Sequence, residues 1–293
     1  MSSPHEQTGH EPSGEKAGKV LNVMVFGAHP DDPESKAAGV AALYGRLGHR
    51  VKFISLTNGD SGHHEIGGVE LARRRYEEAQ RVKDILGLAE YQVLDNHDGE
   101  LMPSLENRRQ VIRIIREFQP DLVLCPRPND YHPDHRYTSI LVQDAAYMVT
   151  VPNVLPLTPH LRVNPVICYV YDAFQRPYPF TPDVVVDIDS TIESKLDALD
   201  AHTSQVYEWL AYNARRLDQV PAGARERREW LKQTRGPMFA QVADRYRDLL
   251  VREYGVERGQ KVRYAEAFEG CEYGSRLTPE MIPTLFPFFP RSE

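Results

Sequence analysis

Cysteine is nearly missing from this chain. Three occur in 293 residues, Cys125, Cys168 and Cys271, far apart and odd in number. Such usage excludes a disulfide framework and a paired-cysteine zinc site, and it points to a reducing, cytoplasmic compartment. Also lacking is any apolar run near the ~20 residues that a membrane span needs, and the first nineteen residues have no apolar core of the secretory kind. Positive charge is not in excess either. Lys and Arg number 35 against 42 Asp and Glu, for a net charge of -7, so no basic footprint for nucleic acid exists. The local clusters Arg73 to Arg75 and Arg225 to Arg228 read as solvated helix faces. The expectation is a soluble protein that stays inside the cell.

What is present suffices for a large core. With 41% hydrophobic residues, the chain can fold without disulfides, as one large domain or two ordinary ones. Met1 to Lys19 are rich in Ser, Gly, Pro, Glu and His with almost nothing to bury, and they are expected to form a disordered tail. His5 and His10 there are poor ligand candidates. Residues 20–293 are read as a single domain, since neither an internal repeat nor a linker is visible.

The first apolar run, Val20 to Ala28, is short, rich in Val and closed by a turn-like His-Pro-Asp-Asp, which suits a strand buried on both faces. Helical spacing follows from Glu34 to Leu47, then a second strand from Val51 to Thr57. The glycine-rich loop Asn58 to Gly68 precedes an amphipathic helix from about Val69 to Leu86. A short strand near Tyr91 to Leu94, a helix over Leu105 to Phe118, a strand Leu122 to Cys125 and a helix from Pro133 continue the alternation. Such units, joined by short connections, predict a Rossmann-like α/β fold: a parallel sheet with right-handed crossovers, flanked by helices. Later strands are expected at Val166 to Tyr171 and Val184 to Ile188, and mainly helix from Thr191 to about Tyr254.

Two segments concentrate side chains of metal-ligand type: His29-Pro30-Asp31-Asp32-Pro33-Glu34 and His132-Pro133-Asp134-His135. Either alone is matched as well by helix-start chemistry, because Asp caps helices and proline suits the first turn. Their placement together is more telling. They follow the first and fourth predicted strands, which are neighbours in the common doubly wound order 3-2-1-4-5-6, at the point where the winding reverses. Both turns then face one crevice and supply the nitrogen and oxygen donors of a zinc site. A nucleotide-binding Rossmann protein is the competing reading of this topology. Its phosphate loop is missing, since Gly27 stands without spaced partners and Asp31 and Asp32 would repel a pyrophosphate.

Gly27-Ala28-His29-Pro30-Asp31-Asp32, paired with His132-Pro133-Asp134-His135, resembles the zinc-dependent N-acetylglucosaminyl deacetylase family, known as LmbE-like or PIG-L. The likeness extends to Arg75-Tyr76-Glu77-Glu78-Ala79 with Leu86-Gly87 and to His97-Asp98-Gly99-Glu100-Leu101. It is looser at Val186-Asp187-Ile188 and His202-Thr203-Ser204-Gln205. The resemblance implies an LmbE-like fold in which His29, Asp32 and His135 hold Zn2+, a choice that spacing alone leaves open. It implies further that Asp31 is the general base, that His132, oriented by Asp134, stabilises the oxyanion or protonates the leaving amine, and that Arg75 and Asp98 contact substrate. Two departures stand out: Pro33 separates the Asp pair from Glu34, and Lys36-Ala37-Ala38-Gly39 replaces a more glycine-rich turn.

The activity so implied is removal of the acetyl group from an N-acetylated amino sugar or its conjugate. The nearer rival is an amidase acting on a larger thiol- or lipid-linked conjugate, and the farther one a non-catalytic sugar-binding or metal-binding protein. Iron, cobalt or manganese suits the same donors. Among weaker candidates, Asp60, His63 and His64 stand on the glycine-rich loop, a candidate substrate wall whose histidines read by default as incidental. His97 and His202 read as structural histidines. The cluster Tyr169, Tyr171, Phe174, Pro177, Tyr178 and Phe180 reads mostly as core, with stacking on a sugar as the alternative. The apolar end, Met281 to Pro290, is expected to pack across the domain or against a neighbouring subunit of a homo-oligomer.

Overall fold

The computed structural model describes residues 19–290, so the tail expected over Met1 to Lys19 lies, but for its last residue, outside them. In chain order the elements are β1 (Asn22–Gly27), α1 (Asp32–Arg46), β2 (Arg50–Ser55), α2 (Gly68–Leu86), β3 (Glu90–Val93), α3 (Leu105–Phe118), β4 (Leu122–Cys125) and α4 (Pro133–Met148). β5 (Val166–Val170), β6 (Val184–Asp187) and α5 (Ile192–Ala201) follow, then a π-helical stretch, Ser204–Trp209, running into α6 (Leu210–Asn213). The chain ends with α7 (Ala224–Arg245), α8 (Arg247–Tyr254), α9 (Val256–Gly259), β7 (Ala265–Gly270) and α10 (Ile282–Leu285).

One sheet runs in the order β3-β2-β1-β4-β5-β7-β6. The first five strands are parallel, with Val23 level with Val51 on one side and Leu122 on the other. This is the expected order as far as β5. Beyond it the wholly parallel expectation is corrected: β7 lies between β5 and β6 and runs antiparallel to both. Its sequence, AEAFEG, holds two Ala, two Glu and a Gly, all weak strand formers. Tertiary contact overrides that preference. Glu266 is buried and its carboxylate accepts the N–H groups of Gly39 (3.0 Å) and Val40 (2.8 Å) in α1, besides the Lys195 ammonium (2.6 Å).

Alternate residues of each central strand feed opposite faces. Val23 and Val25 join one apolar cluster with Phe53, while Met24 and Phe26 join the other with Ile54. A strand buried on both faces must read as a continuous apolar run. Local chemistry sets the helix ends: Ser104 accepts the N–H of Asn107 at the start of α3 (3.1 Å), and Gly87 closes α2 in the left-handed region at φ 63. The apolar end packs within this chain, with Phe286 against Phe268 (5.4 Å) and Phe288 against Tyr44 (4.7 Å). Among the described residues no helix is long and apolar enough to cross a membrane.

Candidate metal centre

β1 and β4 are neighbours, so the turns at their carboxyl ends open side by side. Asp32 is folded back onto its own strand exit, where Oδ2 accepts the N–H groups of Ala28 (3.0 Å) and His29 (2.8 Å). Held there, the same oxygen lies 3.4 Å from His29 Nδ1 and 3.4 Å from His135 Nε2. The two distant motifs therefore meet, as the topology predicted.

Each of these imidazoles has its other nitrogen tied to carboxylate. His29 Nε2 is 3.0 Å from Asp98 Oδ1 and 3.2 Å from Asp134 Oδ2, and His135 Nδ1 is 3.0 Å from Asp130 Oδ1. That pattern fixes the tautomer, leaving His29 Nδ1 and His135 Nε2 as lone-pair donors, and it is how metal-bound histidines are usually oriented. Four-coordinate bonds of ~2.1 Å put ligand atoms ~3.4 Å apart, which matches both observed edges. Asp32 thus has the right spacing to each imidazole in turn. Among the described residues, the sets whose donor atoms all lie within 4.8 Å of one another are His29, His132 and His135, and His29, Asp98, His132 and Asp134, so imidazole and carboxylate donors suited to a metal ion are gathered here.

Both sets include His132, which differs from the other two histidines in what its ring touches. As N-cap of α4, it accepts the N–H of Asp134 at Nδ1 (3.2 Å), so its neutral ring carries the proton on Nε2, a donor and not a ligand. We therefore favour Asp32 with the two carboxylate-tied histidines.

The expected orientation of His132 by the Asp134 carboxylate is corrected. That carboxylate accepts the N–H groups of Gly99 (2.7 Å) and Leu101 (3.2 Å) and holds His29, whereas His132 is oriented by the Asp134 backbone. Asp98 faces His29, and its other oxygen lies 3.6 Å from Arg75. Arg75 is buried, with its guanidinium donating to Pro30 O (2.6 Å), Gly59 O (3.1 Å) and Asp31 Oδ1 (3.2 Å). Both residues line the cavity, yet their polar atoms largely meet protein partners; Arg75 Nε is the exception, with no partner among the described residues.

Burial and charge set the proton affinities. Burial pushes the Asp31 carboxyl up to about 6 against the pull of Arg75. His135 would be drawn down by burial, but Asp32 and Asp130 raise it to about 9. His29 is raised well above its ordinary value, because Asp134, Asp32 and Asp98 outweigh its burial. His132 moves the other way, lowered by burial and by the neighbouring His29 and His135. The carboxylates thus favour positive charge at this spot, whether a proton or a cation, and the two compete.

The weaker candidates sort themselves by contact. Ser61 and Gly62 of the glycine-rich loop line the cavity, whereas His63 pairs with Glu208 (2.8 Å) and His64 stacks on Tyr212 (4.2 Å). His97 binds Asp60 (2.6 Å), which also takes the N–H of Asp98. His202 is fully buried against Glu34 (2.8 Å), so the carboxylate displaced by Pro33 anchors the first turn of α1 from inside. Of the aromatic cluster, Tyr169 and Phe180 are core and Phe174 reaches the cavity. Sequence reasoning missed Asp130, whose signal was its position ahead of the His-Pro motif, and it missed Trp209 and Arg235, which with Gln205 of the looser motif form the wall that completes a cavity of about 630 Å³. A larger cavity, about 1000 Å³, lies among Pro279, Ile282 and Phe289 and contains none of these groups.

A family model for PIG-L, GlcNAc-PI de-N-acetylase, matches residues 24–146. A diacetylchitobiose deacetylase of Thermococcus kodakarensis is 34% identical over 200 residues, covering 64% of this chain and 72% of that protein. A 4-oxalmesaconate hydratase of Pseudomonas putida is 25% identical over 200 residues, covering 65% and 76%. Among solved structures, the inhibitor complex of N,N'-diacetylchitobiose deacetylase from Pyrococcus horikoshii matches with TM-score 0.67 and 24% identity, over 92% of this chain and 88% of that one, a likeness of fold. Because the family match spans both turns that converge here, and because the chain covers most of a deacetylase relative at substantial identity, it belongs to the PIG-L, or LmbE-like, family of de-N-acetylases.

Proposed function

We propose that the protein is a zinc-dependent hydrolase that removes the acetyl group from the nitrogen of an N-acetylated amino sugar or its conjugate. The observation that carries this is Asp32 Oδ2 at 3.4 Å from one free nitrogen of each of two carboxylate-tied imidazoles, with Asp31 beside it at the cavity wall. The family is metal-dependent, and this chain has a matching imidazole and carboxylate group. The relatives supply the amide chemistry.

His29, Asp32 and His135 hold the metal in this reading. Bound zinc lowers the pKa of water to about 7 and polarises a carbonyl. Asp31 accepts the proton of the attacking water: a carboxyl pushed up to about 6 is ionised near neutrality and still basic enough to act. Having gained that proton, Asp31 can hand it to the departing amine. His132 offers Nε2–H to the developing oxyanion as a neutral imidazole, because the N–H of Asp134 occupies Nδ1 and disfavours the charged ring. Arg75 and Asp98 position Asp31 and His29 from behind. Three free, buried cysteines support a reducing, cytoplasmic site of action.

The test is release of acetate and free amine from N-acetyl amino sugars and their conjugates. Equimolar products that vanish on chelation and return with zinc are expected, and release that ignores chelation contradicts the mechanism. The hydratase relative motivates one rival, addition of water to an unsaturated acid. Hydration of 4-oxalmesaconate without any acetate release would select it.

A further inference from the structure

α7 buries Leu231 and Phe239, and beside them Arg235 and the half-exposed Met238 stand at the cavity mouth, so that Arg235, Met238 and Phe239 line the cavity of the metal centre. Arg235 is out of place among such neighbours. It is half-buried, and among the described residues its only polar partner is Met238 Sδ at 3.6 Å, a weak acceptor. No carboxylate among the described residues lies within ion-pair reach of it. The other arginine in the cavity, Arg75, gives its two terminal nitrogens to two carbonyls and Asp31, and its Nε alone is without a partner among the described residues. Burial holds Arg235 below the ordinary arginine value, opposed by the field of Asp31, but a guanidinium stays charged throughout.

The remaining donors of Arg235 are open to the cavity and to solvent, and a guanidinium so placed meets an anion through strong charge-assisted hydrogen bonds. The cavity floor cannot take that anion, because Asp31, Asp32, Asp98 and Asp130 would repel it; these carboxylates already face imidazoles, Arg75 or the metal position. An anionic group on the substrate therefore has a favourable place on the wall formed by α7; the remaining cation of the lining, Lys36, stands on α1 close to Asp32 and donates to Tyr171 O (3.0 Å). Room exists for it: about 630 Å³ falls within the ~300–1,000 Å³ of pockets that hold drug-sized ligands.

Building on the deacetylase reading above, we propose that the substrate is an N-acetyl amino sugar bearing an anionic substituent, phosphate or carboxylate, which Arg235 binds while the acetamido group lies on the cavity floor. The arginine is a specificity-determining residue and takes no part in the proton transfers.

The experiment compares kcat/KM of the zinc-loaded full chain for N-acetylglucosamine, its 1-phosphate, its 6-phosphate and N-acetylmuramic acid; the two phosphates separate position, and the muramic acid separates carboxylate from phosphate. At least one anionic sugar is expected to exceed the neutral one about 10-fold or more, and Arg235→Ala to lower that sugar's kcat/KM by about 10- to 100-fold, the range for a hydrogen bond to a charged group. The loss on the neutral sugar is expected to be much smaller, and Arg235→Lys to recover part of it. Arg225→Ala, on the exposed start of the same helix, controls for net charge and leaves the ratios unchanged. Equal losses on all four sugars, or a wild-type preference for the neutral one, overturn the proposal. If no sugar is deacetylated, the deacetylase reading falls by itself. Calorimetry of glucosamine 6-phosphate and glucosamine against wild type and Arg235→Ala then still decides on the cation: selective loss of the phosphate's affinity supports it, and equal or absent binding overturns it.

Discussion

At Asp31 the backbone takes φ 132 and ψ -20, outside the regions that L-residues favour. Strain of this kind costs about 1–3 kcal/mol and persists where surrounding structure imposes it. Here it lets two adjacent carboxylates do different work, Asp32 turned back to its strand exit and Asp31 turned toward Arg75 and the cavity. Asp31→Asn is expected to keep its metal, read by atomic emission, and to lose about 10² to 10⁴ in kcat; undiminished turnover would remove Asp31 from the mechanism. Asp130 acts at one remove, through His135 Nδ1. Asp130→Ala is expected to weaken metal affinity about 10- to 100-fold in a competition titration against a chelator. An unchanged affinity would mean that His135 needs no orienting partner.

The elements place these residues through close contacts at small side chains. α1 lies against the sheet through Ala37, Ala38 and Gly39. At Gly39 an added Cβ would meet Ile188 at 2.8 Å and the Glu266 carboxylate at 3.0 Å. Gly39→Ala is therefore expected to destabilise by about 1–3 kcal/mol in urea unfolding through overpacking, although alanine is the better helix former by about 1 kcal/mol. Stabilisation instead would show that α1 can shift. At Gly59, where φ is +72, a Cβ would meet the Arg75 guanidinium at 2.5 Å. Gly59→Ala should thus cost activity through the displaced Arg75 and Asp31, seen as lower kcat with metal retained. These elements were legible in the sequence where periodicity was strong: α3 and β4 have the expected bounds, and α4 begins at Pro133. β7 was not legible, because Ala, Glu and Gly become a strand there only through Lys195 and the α1 backbone around Glu266.

For the whole molecule, metal, protons and stability are linked. The His135 value of about 9 lies above the 6.5 of an unfolded chain. In chelated protein its contribution to stability is therefore full below pH 6.5 and is lost as pH rises through about 9. His135→Gln should flatten that decline in urea titrations run with chelator. With zinc the trend reverses, because the metal must displace the ring proton, so stabilisation by metal grows with pH; at 100-fold excess over Kd it reaches about 2.7 kcal/mol. Equal pH profiles with and without zinc would place the metal elsewhere. The sequence by itself determined the alternation of strands and helices, the two strand-end turns and the kinds of ligand they carry, since these follow from local periodicity and turn chemistry. Only the tertiary structure decided which oxygen faces which ring, that Asp134 serves His29 through its carboxylate and His132 through its backbone, and that Arg235 reaches the cavity wall with no carboxylate partner among the described residues. Such pairings depend on where side chains from distant segments end up in space, and no local pattern encodes a distance between them.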